Sequence, residues 1–257
     1  MIRVISGVLL AAAAVAAVLF LPVFALRVVA SVVAALAAYE YLRIAGTDAA
    51  PWYLPIGGVI VSCAIASSQL EAHYEAVAGL VLAIVAAGVL VGGWRLPHAA
   101  AAGFASIYIG VPLGMLVAIH ARHGRTATLL LIGTVIVSDS TQYYTGRAFG
   151  RRPLAPAISP GKTVEGAIGG VAVGTIVMVA LGARLLPFAG YAPLVVLGLA
   201  VVTFGICGDL FESRLKRTAG VKDSADLIPG HGGLLDRIDA LLFAIPPYYT
   251  YLRMTVP

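Results

Sequence analysis

Apolar runs of about 17–25 residues, the length that crosses a bilayer as a helix, follow one another along almost the whole 257-residue chain. They lie near 4–24, 26–44, 53–70, 75–94, 100–120, 126–146, 163–183, 191–211 and 233–252. The runs are continuous, without the alternation of a β-barrel strand, so helices are the spanning element; in lipid they satisfy their own backbone. Charged residues make up 11% of the chain, against roughly 25% in soluble domains, while 60% are hydrophobic and mean hydropathy is +0.97. The expected fold is all-α, a polytopic transmembrane helical bundle of about nine spans. It forms a single integral membrane domain over residues 1–257, with no soluble domain between spans.

Arg3 precedes the 4–24 run, which is longer than the roughly 7–15 residues of a signal-peptide core, so it reads as a retained first span. Cys63 and Cys207 both fall in apolar runs and read as buried, inert thiols, with neither a disulfide framework nor zinc spacing. With the N-terminus inside, twelve Lys and Arg residues fall on the cytoplasmic side and five on the other, the bias of a cell-membrane protein in that orientation. Arg122 and Arg125 run against it. Net charge is only +5, and the basic residues gather beside glycines and acids, which gives no reason to expect nucleic acid as a partner. Gly166, Gly170 and Gly174, with the pairs Gly88/Gly92 and Gly110/Gly114, have the small-residue spacing that lets helices pack closely. Glu40 and Arg43 read as an i,i+3 pair at a span end, and Tyr248, Tyr249 and Tyr251 as an aromatic belt.

Two polar segments interrupt the apolar pattern. The segment 213–239 holds Ser213, Arg214, Lys216, Arg217 and Lys222, then Gly230-His231-Gly232-Gly233, then Asp236, Arg237 and Asp239. Cationic side chains and bare backbone N–H groups suit phosphate oxygens, and glycines let the backbone approach a ligand closely. Carboxylates at i,i+3 suit a shared Mg²⁺. Asp209 ends the preceding span, and a loop of about 25 residues returns the chain beside it. Asp209, Asp236 and Asp239 are therefore the expected metal ligands for Mg²⁺, a second cation being left open; three nearby carboxylates repel without one. Glu212 and Ser213 share the helix face of Asp209.

The second segment begins with Asp139, Tyr143, Gly146 and Arg147, on one face of a helix, and continues through Ser159, Pro160, Lys162, Thr163 and Glu165. An aspartate in an apolar run needs a partner; Arg147 or a metal-bound substrate serves. Ser159 is placed to cap the next helix with Pro160 at its first position. Lys162 and Thr163 would then lie at a helix N-terminus that favours a phosphate.

The first segment resembles the signature of the phosphatidate cytidylyltransferases, or CDP-diacylglycerol synthases. Ser213, Leu215, Lys216, Arg217, Lys222, Asp223, Pro229, His231, Gly232, Gly233, Leu234, Asp236, Arg237, Ile238 and Asp239 stand at its positions without departure. The second is similar to another element of the family at Asp139, Tyr143, Gly146, Arg147, Phe149, Gly150, Ser159, Pro160, Lys162, Thr163, Glu165 and Gly166. It departs at Gln142, where alanine is usual. The resemblance covers mainly residues 135–245; the first hundred residues match only in hydropathy.

That resemblance implies a membrane-embedded nucleotidyltransferase converting CTP and phosphatidate to CDP-diacylglycerol and pyrophosphate for phospholipid biosynthesis. It would be a homodimer whose site faces the cytoplasm and takes its lipid from the bilayer. Asp209, Asp236, Asp239, Lys216 and Arg217 would carry the chemistry. Asp139, Arg147, Ser159, Lys162, Thr163, Ser213, Lys222, His231, Gly232, Gly233 and Arg237 would hold the phosphates of CTP and phosphatidate. The alternatives are a CTP-dependent lipid kinase, which transfers the γ-phosphoryl group, and more remotely an ion-coupled transporter. Intramembrane acids also mark ion paths, but the chain has no paired internal repeat.

Overall fold

The computed structural model describes residues 2–46, 53–68, 73–222, 224–225 and 232–255. Helices dominate: α1 (Ile2–Phe20), α2 (Val23–Ile44), α3 (Tyr53–Ala66), α4 (His73–Leu90), α5 (Leu96–Ala105), α6 (Val111–Phe149), α7 (Val164–Leu185), α8 (Tyr191–Thr218) and α9 (Leu235–Thr255). A π-helical turn, Ser106–Gly110, joins α5 to α6. Two short antiparallel strands, β1 (Pro153–Ala155) and β2 (Ser159–Thr163), form a hairpin between α6 and α7, pairing Pro153 with Thr163 and Ala155 with Ser159.

Among the described residues, four helical stretches are long and apolar enough to cross a membrane: Val23–Ile44, Leu96–Phe149, Val164–Leu185 and Tyr191–Thr218. They carry the expected spans 26–44, 100–120, 126–146, 163–183 and 191–211. The 54-residue stretch would be ~80 Å long as one straight helix, far beyond a hydrocarbon core of ~30 Å. Gly124 interrupts it, with φ 76° and ψ −177°, where the two expected spans part. The other runs give shorter apolar helices, Ala11–Phe20, Tyr53–Ala66 and Glu75–Leu90, and α9, whose apolar pattern is broken by Asp236, Arg237, Asp239 and the internal Pro246 and Pro247. The all-α expectation fits; a count of nine spans is not established. Large apolar side chains face outward: Val32 is 54% exposed, Leu82 70%, Ile168 64% and Ile176 63%. Such a surface suits lipid rather than water.

The described residues form two compact units, Met1–Arg122 with Thr218–Ile238, and His123–Arg217 with Asp239–Pro257. In the first, Gly110 and Gly114 lie against α3: a Cβ on Gly110 would stand 2.6 Å from the Val59 carbonyl oxygen, and one on Gly114 2.7 Å from the Ala66 Cβ. Gly88 and Gly92 make room for the Trp94 indole rather than for another helix. In the second unit, Gly166 and Gly170 press on α6 at Gln142, and Gly174 on Ser138 and on Val202 of α8.

Tyr248 and Tyr249 do not form the expected belt with Tyr251, which alone of the three keeps intermediate exposure. Tyr248 is fully buried and Tyr249 nearly so. Tyr248 donates its hydroxyl to the Ala127 carbonyl at 2.9 Å, the partner a buried phenol needs. Cys63 is buried as expected, whereas Cys207 is exposed on α8.

Candidate active site

The 139–166 segment builds its geometry around a tight reversal. Glu165 accepts from the backbone N–H groups of Arg151 (3.0 Å) and Arg152 (3.2 Å), tying the exit of α6 to the entry of α7. Together with Ala148, Phe149 and Gly150 these residues line a cleft of about 380 Å³. Ser159 does not cap α7, contrary to expectation. Pairing with β1 draws 159–163 into an extended strand, so the helix starts one turn later and Thr163 is its N-cap (φ −119°, ψ 153°). The Thr163 hydroxyl accepts from the Gly166 N–H at 3.1 Å, the usual N-cap bond. Lys162 is consequently the last strand residue before the cap.

Asp139 is not paired with Arg147. Eight residues along a helix separate them by ~12 Å. Asp139 instead accepts from Gln142 Nε2 at 3.0 Å, and Arg147 donates to the Tyr143 hydroxyl at 3.3 Å. Gln142, the one departure from the family pattern, thus holds an aspartate of the site and also packs on Gly170.

On α8, Asp209 forms an ion pair with Lys162, and Ser213, one turn on, donates to its other oxygen at 3.4 Å. Gly208 beside it admits α9: a Cβ there would stand 2.5 Å from the Asp239 carbonyl oxygen. Asp239 is 9% exposed and lies within electrostatic reach of Asp209, Asp139 and Lys162. The second unit therefore gathers Asp139, Lys162, Asp209, Ser213 and Asp239. Arg217 donates to the Ile158 carbonyl in the hairpin turn at 3.4 Å. Glu212 is 1% exposed and paired with Lys216 at 2.6 Å.

The first unit holds the rest of the signature. Asp236 Oδ2 accepts from the backbone N–H groups of Gly233 (2.7 Å) and Ser224 (3.0 Å) and from the Ser224 hydroxyl (2.9 Å). Gly232 has φ 75°, which favours glycine. At Gly233 the close neighbour is part of the protein itself. A Cβ there would overlap Ser224 Oγ and Glu40 Oε2 and stand 2.6 Å from Glu40 Cδ. Lys222 and Arg237 are exposed. His231, with Asp223, Pro229 and Gly230, lies outside the described residues.

Glu40 was missed by its spacing. It does not pair with Arg43, which lies over the Tyr39 ring at 5.9 Å. It turns inward, fully buried, and accepts from Ser224 Oγ (2.7 Å), Leu234 N (2.8 Å) and Leu235 N (2.8 Å). The available signal was a lone acid inside an apolar run, which needs a partner of its own.

As ligands, Asp139, Asp209 and Asp239 offer hard carboxylate oxygens opposed by one ammonium. That chemistry fits a divalent cation of the Mg²⁺ type rather than a soft metal. Among the described residues no three His, Cys, Asp or Glu side chains already stand at ligating positions around one point, and the Lys162 ammonium sits against Asp209.

Comparisons agree with these motifs. The sequence profile of the Cytidylyltransferase family matches residues 1–255. The uncharacterized protein YnbB of Escherichia coli is 42% identical over 139 residues, 54% of this chain and 46% of YnbB. The phosphatidate cytidylyltransferase of Haemophilus influenzae is 43% identical over 138 residues, 52% of this chain and 48% of its own. That of Thermotoga maritima is 39% identical over 163 residues, 60% of this chain and 59% of its own. The chain thus matches about half the length of these relatives. With a profile that runs essentially from end to end, the chain belongs to the Cytidylyltransferase family.

Proposed function

We propose that this protein is a phosphatidate cytidylyltransferase, forming CDP-diacylglycerol and pyrophosphate from CTP and phosphatidate. The observation that carries the reading is the gathering of Asp139, Lys162, Asp209 and Asp239, which come from α6, β2, α8 and α9. The family and the names of the curated relatives support it.

The phosphatidate phosphate is already an anionic nucleophile, so no serine or cysteine has to be activated. One of its oxygens attacks the α-phosphorus of CTP. The bond between that phosphorus and the oxygen bridging to the β-phosphate breaks, and pyrophosphate leaves. Two phosphates must be aligned and the charge on the attacking and leaving oxygens offset. Lys162, paired with Asp209 just before α7, would bind phosphate oxygens, and Arg217 at the hairpin turn would add a second positive charge. The Thr163-capped N-terminus of α7 contributes its dipole in the same sense. Asp209 and Asp239, with Asp236 in the ligand set read from the sequence, would hold Mg²⁺, which when bound lowers the repulsion between lipid phosphate and triphosphate. The loops 147–162 and 212–232 face the cytoplasm in this reading, the lipid enters sideways from the bilayer, and the enzyme works as a homodimer in the cell membrane.

Product analysis in detergent tests it. With phosphatidate, Mg²⁺ and CTP labelled at the α-phosphate, label enters the lipid; with γ-labelled CTP it does not. Label entering from the γ-position alone means a lipid kinase, and no labelled lipid from either overturns the reading. Orientation is read separately. A single cysteine at Ala219, in a background lacking Cys63 and Cys207, resists a membrane-impermeant thiol reagent in intact cells and reacts after lysis.

A further inference from the structure

Glu40 lies outside both sequence motifs, yet its carboxylate is built into the signature. An acid with no exposed surface in an apolar helix is costly unless its lone pairs are satisfied. Every acceptor bond described for Glu40 comes from residues 184 to 195 positions later in the chain. Two of the donors, the N–H groups of Leu234 and Leu235, stand at the start of α9, where a helix has donors without partners of its own and where negative charge is favoured. The third is the Ser224 hydroxyl. Its single hydrogen is shared between Glu40 Oε2 at 2.7 Å and Asp236 Oδ2 at 2.9 Å. Glu40 therefore caps α9 from another helix, while Asp236 closes the same turn from within it. At Gly233 the Ser224 hydroxyl and the Glu40 carboxylate fill the space a side chain would need.

A role in burial alone does not account for this arrangement. A leucine would fill the space on α2 without the desolvation cost of a buried carboxylate. What a carboxylate adds is direction: three bonds that fix where the 233–236 turn sits, and with it the Asp236 and Arg237 side chains at the head of α9.

We propose that Glu40 is a positioning residue for the nucleotidyl-transfer site, holding the Gly233–Asp236 turn in its working conformation through Ser224 and the first amides of α9. The inference rests on the functional reading above for its catalytic half; the anchoring half stands without it.

The test uses the full-length protein in detergent and two readouts, amide hydrogen exchange by mass spectrometry and steady-state kinetics. In Glu40→Gln and Glu40→Ala, exchange in the peptide spanning 232–240 accelerates by about tenfold or more, while the α3 peptide 53–66 keeps its wild-type rate. Over the same variants kcat falls by about tenfold or more, with KM for CTP changed by less than about threefold. Ser224→Ala, which removes only the bridge, gives a smaller change of the same kind in both readouts. Glu75→Gln, an exposed acid on α4, changes neither. If Glu40→Ala loosens every peptide, the isosteric Glu40→Gln decides. Unchanged exchange at 232–240 in Glu40→Gln overturns the anchoring. Faster exchange with unchanged kcat per folded molecule overturns the positioning role. A wild-type protein that forms no CDP-diacylglycerol overturns the functional reading and the catalytic half with it, while the exchange difference still reports the anchoring.

Discussion

Lys162 and Asp209, 47 positions apart, meet as an ion pair in which both side chains keep some exposure. One comes from the strand before α7 and the other from within α8, nine residues before its last residue, Thr218. The pair joins the 139–166 segment to α8 through oppositely charged groups, either of which a phosphate or a cation can recruit.

Replacing Lys162 by alanine removes the ammonium and leaves Asp209 with its carboxylate uncompensated. The expected result is a fall of about 10–100-fold in kcat/KM for CTP, the scale of a lost charge-assisted phosphate contact. Lys162→Arg keeps the charge and recovers part of the activity. Wild-type kcat/KM for CTP in Lys162→Ala removes this residue from the phosphate site.

Asp239→Asn and Asp209→Asn keep shape and lose charge. Each inserts normally and loses activity by at least about two orders of magnitude, on the scale of ~3 kcal/mol of transition-state stabilisation. EDTA abolishes turnover of the wild type, Mg²⁺ restores it, Mn²⁺ restores part of it, and Ca²⁺, larger and less strict in geometry, supports little. Full activity in EDTA ends the case for a cation held by these carboxylates.

Thr163→Ala deletes the cap of α7 and costs about 1 kcal/mol, seen as a lower midpoint of thermal unfolding in detergent. Thr163→Ser retains the acceptor and most of the stability. Ser159→Ala, at the position expected from sequence to cap, leaves that midpoint unchanged. Equal losses in Thr163→Ala and Ser159→Ala contradict the observed start of α7.

Gly233→Ala drives a methyl group into Ser224 Oγ and Glu40. The cost is that of overpacking, about 1–3 kcal/mol, together with loss of activity. Gly79→Ala on α4, where nothing lies within 4 Å of the added atom, is neutral or slightly stabilising by thermal unfolding, because alanine is the better helix former. If the two variants behave alike, the space at Gly233 is not filled as described.

Much of the site was legible because its residues violate the local rule around them. Asp139, Asp209 and Asp239 stand out in or beside apolar runs, and such exceptions need partners. What escaped was set by distant pairing. Ser159 has the sequence of a cap, and only the bonding of 159–163 to Pro153–Ala155 moves that duty to Thr163. Arg147 shares a face with Asp139, but rise along the helix carries it out of reach. Tyr248 looks interfacial by type, and its burial against Ala127 is a tertiary fact. The helical content followed from hydropathy. The number of crossings did not, because among the described residues length and apolarity single out four stretches, and the longest of them is divided by one glycine torsion.

Glu40 also fixes an order of events during synthesis. The carboxylate leaves the ribosome with α2, roughly 190 residues before the amides it will accept. Closing a segment of that length is among the slower steps available to a nascent chain. The helices between can insert while the signature turn is still unmade. The turn gains its fastening to Glu40 only when Leu234 and Leu235 emerge, so a chain halted before that point is without it.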